Sequence, residues 1–256
     1  MSAQYKKADS GWLNLNKPSG ISSFKALSIV KQNLGLKKAG YIGTLDPIAT
    51  GVLAIAIGST TKLIPKCDDR EKIYNFSVKW GKQTDTIDKD GKITHTCSFI
   101  PTKELLFDAI KNFIGYIEQT PPKFSAVHVN AKRAYALARS GISFELKPRQ
   151  IFIKSIDLLS HDQENSEFQI CCSRGTYIRS LARDMANLVG SYAFVNSIKR
   201  LKSGVFTIEN AVSIDEACLD CVLDPNYPIF KSPMLILFRI ATKIIQFQVF
   251  NSESLC

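Results

Sequence analysis

Between residues 73 and 80 the chain reads Ile-Tyr-Asn-Phe-Ser-Val-Lys-Trp, with Tyr74, Phe76, Val78 and Trp80 at every second position and Asn75, Ser77 and Lys79 between them. A period of two sends these sets to opposite faces, which makes the segment a half-buried β-strand. Its surroundings follow other periods. Ser22 or Ser23 caps a helix to about Leu34, with Leu27, Val30 and Leu34 at helical spacing and Gly35 past its end. Residues 102–114 place Leu106, Ile110 and Phe113 on one helical stripe, stopped by Gly115. Residues 178–188 place Ile178, Leu181, Ala182, Met185 and Leu188 on another, with Gly190 terminating and Arg179 and Arg183 off that stripe. Further strands are expected at residues 12–15, 151–159 and 168–172, and residues 81–92 read as a polar, hairpin-like connection. Strands and helices mixed irregularly, without strict βαβ alternation, predict an α+β fold with a mostly antiparallel central sheet and flanking helices.

At 256 residues the chain suits one large domain, or a domain with a small appendage. Its 45% hydrophobic and 22% charged content exclude a disordered or fibrous protein. Lys+Arg 33 against Asp+Glu 23 gives a formal charge of +10, which favours a polyanionic partner, nucleic acid or an anionic surface, over a plain basic exterior. Seven cysteines in no framework spacing, with no secretory signal before them, suit reduced cytosolic thiols. Cys218 and Cys221 form a C-x-x-C without a second pair or a nearby His, and His95, His128 and His161 are scattered, so no metal is implied. The most apolar window, 232–250, is broken by Arg239 and Lys243, so no membrane span is expected.

The residues that carry chemistry start at "GTLDPIATGVL", residues 43–53, where Asp46 sits in a Gly- and Pro-bounded loop ahead of an apolar run. Alone, Leu45-Asp46-Pro47 also reads as a simple turn. The loop has company: "GWLNLNKPSGISS" from Gly11, "KIYNF" around Tyr74, "QTPPKFSAV" from Gln119 and "CSRGTYIRSLARD" through Arg179. In this order the five motifs resemble those of the TruB family of bacterial tRNA pseudouridine synthases, over roughly four fifths of the chain.

The resemblance implies the pseudouridine synthase fold with an RNA-binding cleft, and isomerisation of uridine to pseudouridine at position 55 in the T loop of tRNA. It implies no cofactor and no metal, a monomer, no membrane association and action in the cytoplasm. Asp46 holds the position of the family's catalytic aspartate, nucleophile or base towards the nucleoside. Arg179 matches its ion-pair partner, since a guanidinium favours the charged form of a carboxylate beside it. Tyr74 matches the residue that stacks on the target base, and Ile198 an apolar wall. Base chemistry within a folded RNA requires extrusion of the nucleotide into such a pocket. Lys17 is expected to brace the loop, or to touch phosphate.

By this reading residues 1–10 are a flexible terminus and residues 11–215 the catalytic domain. An insertion at about 119–145 grips RNA through Lys123, Lys132, Arg133 and Arg139, although basic residues among aromatics also suit an exposed amphipathic helix. Residues 216–256 are expected to be a short, divergent tail without a complete PUA domain. Two positions depart from the family pattern: Gly40-Tyr41-Ile42-Gly43 lacks the usual His, leaving Tyr41 for RNA stacking, and Ser125-Ala126-Val127-His128 lacks the usual Lys. The rival reading is a non-catalytic tRNA-binding or RNA-folding module. Glycosidase-like hydrolysis needs two cooperating carboxylates, and Asp85 and Asp88 read as part of a polar connection.

Overall fold

The computed structural model describes residues 10–67, 71–130 and 132–227. The first half contains β1 (Ser10–Lys17), α1 (Ser23–Asn33), β2 (Ala39–Tyr41), β3 (Thr50–Gly58), a 3-10 turn leading into α2 (Ile64–Cys67), β4 (Lys72–Trp80), the hairpin β5 (Lys82–Thr84) and β6 (Ile93–Thr96), α3 (Lys103–Lys111) and β7 (Gly115–Gln119). The second contains β8 (His128–Val129), β9 (Lys132–Arg133), α4 (Ala134–Arg139), β10 (Arg149–His161), β11 (Asn165–Cys172), α5 (Ile178–Leu188), β12 (Ala193–Ser203) and β13 (Phe206–Thr207). One large sheet runs β1-β3-β12-β4-β11-β10-β7, with β2 beside β3 and β13 beside β12. Among the described strands only β3 and β12 pair in parallel; the other neighbouring strands are antiparallel, as the mixed periods predict.

Helices α1, α3 and α5 pack on one face of this sheet. Ala26, Leu27 and Val30, Leu106 and Ile110, and Leu181 and Met185 join Tyr74, Phe76, Val78, Trp80, Phe168 and Ile170 in one core. Each fully buried large apolar side chain adds about 1.5–3 kcal/mol. β3 is apolar along its length because both of its faces are covered: Leu53, Ile55 and Ile57 enter this core, and Val52, Ala54 and Ala56 pack with Trp12 and Phe206 on the other side. Ser22 and Thr102 cap α1 and α3 by accepting from Lys25 N and Leu105 N.

Several expectations change in detail. Helix α3 ends at Lys111, so Phe113 packs on the core from the loop beyond it. In α5, Arg179 and Ala186 are buried while Leu188 is exposed. At about 100° per residue, Arg179 and Ala186 lie about 80–100° to one side of Ile178 and Leu188 about 80° to the other, so the buried arc is displaced towards the arginine. The long strand β12 was not legible in the sequence, and it lies at the centre of the sheet.

The outer edge of β1 is closed by the segment that follows β13. Asn16 N donates to Val212 O (2.7 Å) and Val212 N to Asn14 O (2.9 Å); Trp12 N donates to Leu223 O (3.0 Å) and Leu223 N to Trp12 O (2.7 Å). An edge strand so covered presents few free backbone groups. Residues 216–227 therefore pack on the sheet, whereas residues 1–9 and 228–256, which hold most of the expected terminus and tail, lie outside the described residues. Among the described residues no helix is long and apolar enough to cross a membrane.

Gly51 lies at the parallel seam opposite Arg200, with φ +99°, and a Cβ there would stand 2.2 Å from Arg200 O. Gly51→Ala is expected to destabilise the protein by more than about 2 kcal/mol, through strain and displacement of β12, read from a lowered urea midpoint.

On the opposite face of the sheet, Glu71 ties Lys154 of β10 to Lys202 of β12, each at 3.2 Å. A hydrogen bond from the Cys171 thiol, with those from the two lysines, lowers its carboxyl from 4.5 to about 2, against the opposing effect of burial. A depressed carboxylate contributes stability above its unfolded value and loses it as pH falls through the folded one. The stability gap between the native chain and Glu71→Gln should accordingly be constant above pH 4.5 and shrink between 4.5 and 2, a trend that urea titrations across this range would measure.

Candidate active site

The loop carrying Asp46 connects β2 to β3, and its backbone is held from three sides. Ser23 Oγ, fully buried at the start of α1, donates to Leu45 O (3.0 Å) and accepts from Leu45 N (2.8 Å), so one hydroxyl satisfies both polar groups of that residue. Ser19 Oγ donates to Ile48 O (3.1 Å), and Gly20 N to Pro47 O (2.9 Å). Lys17 Nζ donates to Pro18 O and Ile21 O at 2.7 Å, and to Pro47 O at 3.4 Å. Leu45, Ile48 and Ala49 sink into the core. The carboxylate of Asp46 is thereby presented at the tip, one third exposed.

Arg179 meets it from the first turn of α5. Its Nε donates to Asp46 Oδ2 (2.8 Å), Nη1 to Thr86 O (2.9 Å) and Nη2 to Phe124 O (2.9 Å). A second carboxylate oxygen, Asp88 Oδ2, lies 3.7 Å from Nη1. The arginine is 3% exposed although it lies off the apolar stripe of α5, because elements distant in sequence cover that face. Asp88 is buried too, and its Oδ1 accepts from Thr86 Oγ1 (2.6 Å) and Asp90 N (3.2 Å). Burial pushes its carboxyl up, opposed by the Thr86 hydrogen bond and the arginine. The connection 81–92 therefore contributes an interior residue, contrary to the reading of Asp88 as part of a polar loop.

These groups open into a cavity of about 510 Å³, of a size that suits a small ligand or one nucleoside. Asp46, Tyr74, Arg179 and Ile198 line it together. Tyr74 comes from β4 and Ile198 from β12, where it is paired with Phe76; both are buried. Burial raises the Tyr74 phenol above its ordinary value, and Arg200, with its Cζ 6.0 Å from the ring centroid, opposes this.

Among the lining residues that were missed are Arg200, Lys72 and Ser125. Arg200 is fully buried, with Nε donating to Val52 O (2.7 Å) and Nη2 to Gly43 O (2.9 Å). Gly43, at φ +65°, fits because a Cβ would stand 3.1 Å from Arg200 Nη1. The two-residue step from Ile198 to Arg200, which in a strand means a shared face, was the available signal. Lys72, two positions before Tyr74, gives the same signal and is also buried. Ser125 brings a buried hydroxyl from the insertion.

The other expected residues do not line the cavity. Lys17 is wholly buried and donates its ammonium to backbone carbonyls of the loop and the turn before it, an arrangement suited to bracing. Burial lowers its ammonium to about 8, with the Asp46 carboxylate opposing. Tyr41 is half-buried against the core on β2. Lys123, Lys132, Arg133 and Arg139 are exposed on the insertion whose Phe124 and Ser125 reach the site; Arg139 stacks over the Tyr135 ring at 5.8 Å.

The chain has the pseudouridine synthase fold. It superposes on a solved Cbf5-Nop10-Gar1 complex with a TM-score of 0.65 and 26% identity, covering 84% of this chain and 55% of that one. It thus spans about half the length of that structure. Residues 31–178 match the family described as TruB family pseudouridylate synthase (N terminal domain). Over 208 residues it is 45% identical to tRNA pseudouridine synthase B of Ehrlichia ruminantium, covering 80% of this chain and 70% of that protein. Over 209 residues it is 48% identical to tRNA pseudouridine synthase B of Rickettsia bellii, covering 81% and 71%. This chain belongs to the TruB family.

The pair of hydrogen bonds between Ser23 and Leu45 fixes the loop locally. Ser23→Ala leaves a buried N–H and C=O unsatisfied and should cost about 1–3 kcal/mol, measurable as a lower urea midpoint at unchanged slope.

Proposed function

We propose that this protein isomerises uridine to pseudouridine at position 55, in the T loop of tRNA. The observation that carries the proposal is the Asp46–Arg179 pair at 2.8 Å, set in a nucleoside-sized cavity with Tyr74 and Ile198, in a chain of this family. Asp46 is the catalytic carboxylate. With Oδ2 committed to Arg179, Oδ1 is left for the nucleoside, and the guanidinium fixes the carboxylate's direction. Tyr74 stacks on the extruded uracil and Ile198 closes the pocket, excluding water while the base turns.

The net reaction breaks the bond from the ribose anomeric carbon to N1 of uracil and makes one to C5. The C5 hydrogen leaves as a proton and N1 takes one up, so neither an oxidant nor an incoming water is consumed. The insertion grips the T arm, with Lys123, Lys132, Arg133 and Arg139 on its phosphates, which makes binding steeply salt-dependent. The protein acts as a monomer, in the cytoplasm.

Release of tritium from a tRNA transcript labelled at uridine C5 tests reaction and site together, with a transcript carrying cytidine at the T-loop position as control. Asp46→Asn is expected to abolish release while leaving T-arm affinity within several-fold. Tight binding without release by the native chain would instead mark a non-catalytic tRNA-binding module.

A further inference from the structure

The segment that covers the edge of β1 also carries two cysteines that the site does not use. Held to β1 at Val212 and again at Leu223, it makes a single 3-10 turn at Leu219–Cys221. In that turn Cys221 N donates to Cys218 O at 3.2 Å. A hydrogen-bonded turn keeps its end Cα atoms within about 7 Å, and disulfides span Cα separations of about 4.4–6.8 Å. The two Sγ atoms already lie 2.8 Å apart, so a bond of about 2.0 Å requires a shift of less than about 1 Å. Cys218 is exposed and Cys221 is half-buried, its Sγ 3.7 Å from Glu216 O.

Of the other described thiols, Cys97 is half-buried beside Ser191 Oγ and Phe99 O, and the remaining three contrast with this pair. Cys67, Cys171 and Cys172 are buried, and burial raises Cys171 to about 11 and Cys172 to about 12, which keeps them as inert thiols. Among the described residues no group of His, Cys, Asp and Glu could hold a metal ion, so the pair is not one half of a larger ligand set there.

We propose that Cys218 and Cys221 form a redox site that takes a small-molecule disulfide as oxidant and closes to an intrachain disulfide across the turn. The exposed Cys218 thiolate attacks one sulfur of the oxidant, breaking its S–S bond and releasing one small thiolate. Cys221, its proton passed to water, attacks Cys218 Sγ in the mixed disulfide, forming the protein disulfide and releasing the second small thiolate. Two protein thiols are oxidised and one small disulfide is reduced to two thiols, which take up the two protons. The new bond locks the turn between the two points at which this segment holds β1.

The full chain, equilibrated in oxidised and reduced glutathione, is quenched with acid, alkylated, digested and mapped by mass. In oxidising buffer the peptide holding both cysteines should lose two hydrogens and take no alkyl group, and dithiothreitol should restore two alkylatable thiols. Cys221→Ser should stop at a glutathione adduct on Cys218. At a fixed glutathione ratio the disulfide should be at least tenfold more populated in the folded chain than in urea. Two free thiols in oxidising buffer, a lasting glutathione adduct on native Cys218, or equal disulfide formation in urea would overturn the proposal.

Discussion

A guanidinium with almost no contact with solvent organises the middle of this protein. Arg179 sits at the start of α5, and its three nitrogens reach the 43–49 loop, the 81–92 connection and the insertion. A buried charge is tolerated only when its donors find acceptors, so the packing of the helix and the placement of these three segments are tied together. Such a pair adds little to stability against an apolar replacement. What it fixes is geometry, because losing any one acceptor leaves an uncompensated donor in the interior.

The sheet supplies the remaining positions through its seam. β3 and β12 meet in parallel at Thr50 and Gly51 opposite Lys199 and Arg200, and Gly51 lets the two backbones approach. Arg200 then turns back from β12 to hold Val52 O and Gly43 O, tying β3 to the beginning of the Asp46 loop. Lys17, at the end of β1, braces the same loop from beneath. Two buried cations thus hold backbone carbonyls so that one carboxylate can be held at the surface of a cavity.

Much of this was legible in the sequence. The alternation from Ile73 to Trp80, a helix cap at Ser22 or Ser23 and the stripe of α5 are local patterns, and local patterns survive folding. β12 was hidden because its apolar positions are few and bulges between Val195 and Ser197 and between Arg200 and Lys202 break the period of two. By spacing alone Arg179 lay off the apolar stripe and Asp88 in a polar connection, because the residues that cover them lie far away: Thr86 and Arg179 are 93 positions apart. Leu188 erred in the other direction, since spacing gives the width of a buried arc but not the side to which its neighbours pull it. Of the cavity, motifs reached Asp46, Tyr74, Arg179 and Ile198, while Lys72 and Arg200 needed a strand register that resemblance alone did not supply.

The distribution of charge in the cavity also bears on the kind of chemistry it can support. Hydrolysis by a carboxylate pair needs one acid kept protonated and a second group free to direct water or attack sugar. Here the second carboxylate, Asp88, is 7% exposed and already held by Thr86, Asp90 and Arg179, so it has no path to a substrate. The remaining buried charges at the cavity, Lys72, Arg179 and Arg200, are all positive. One reachable carboxylate among cations suits a polyanionic substrate, and it lacks the second free carboxylate that a two-carboxylate glycosidase needs.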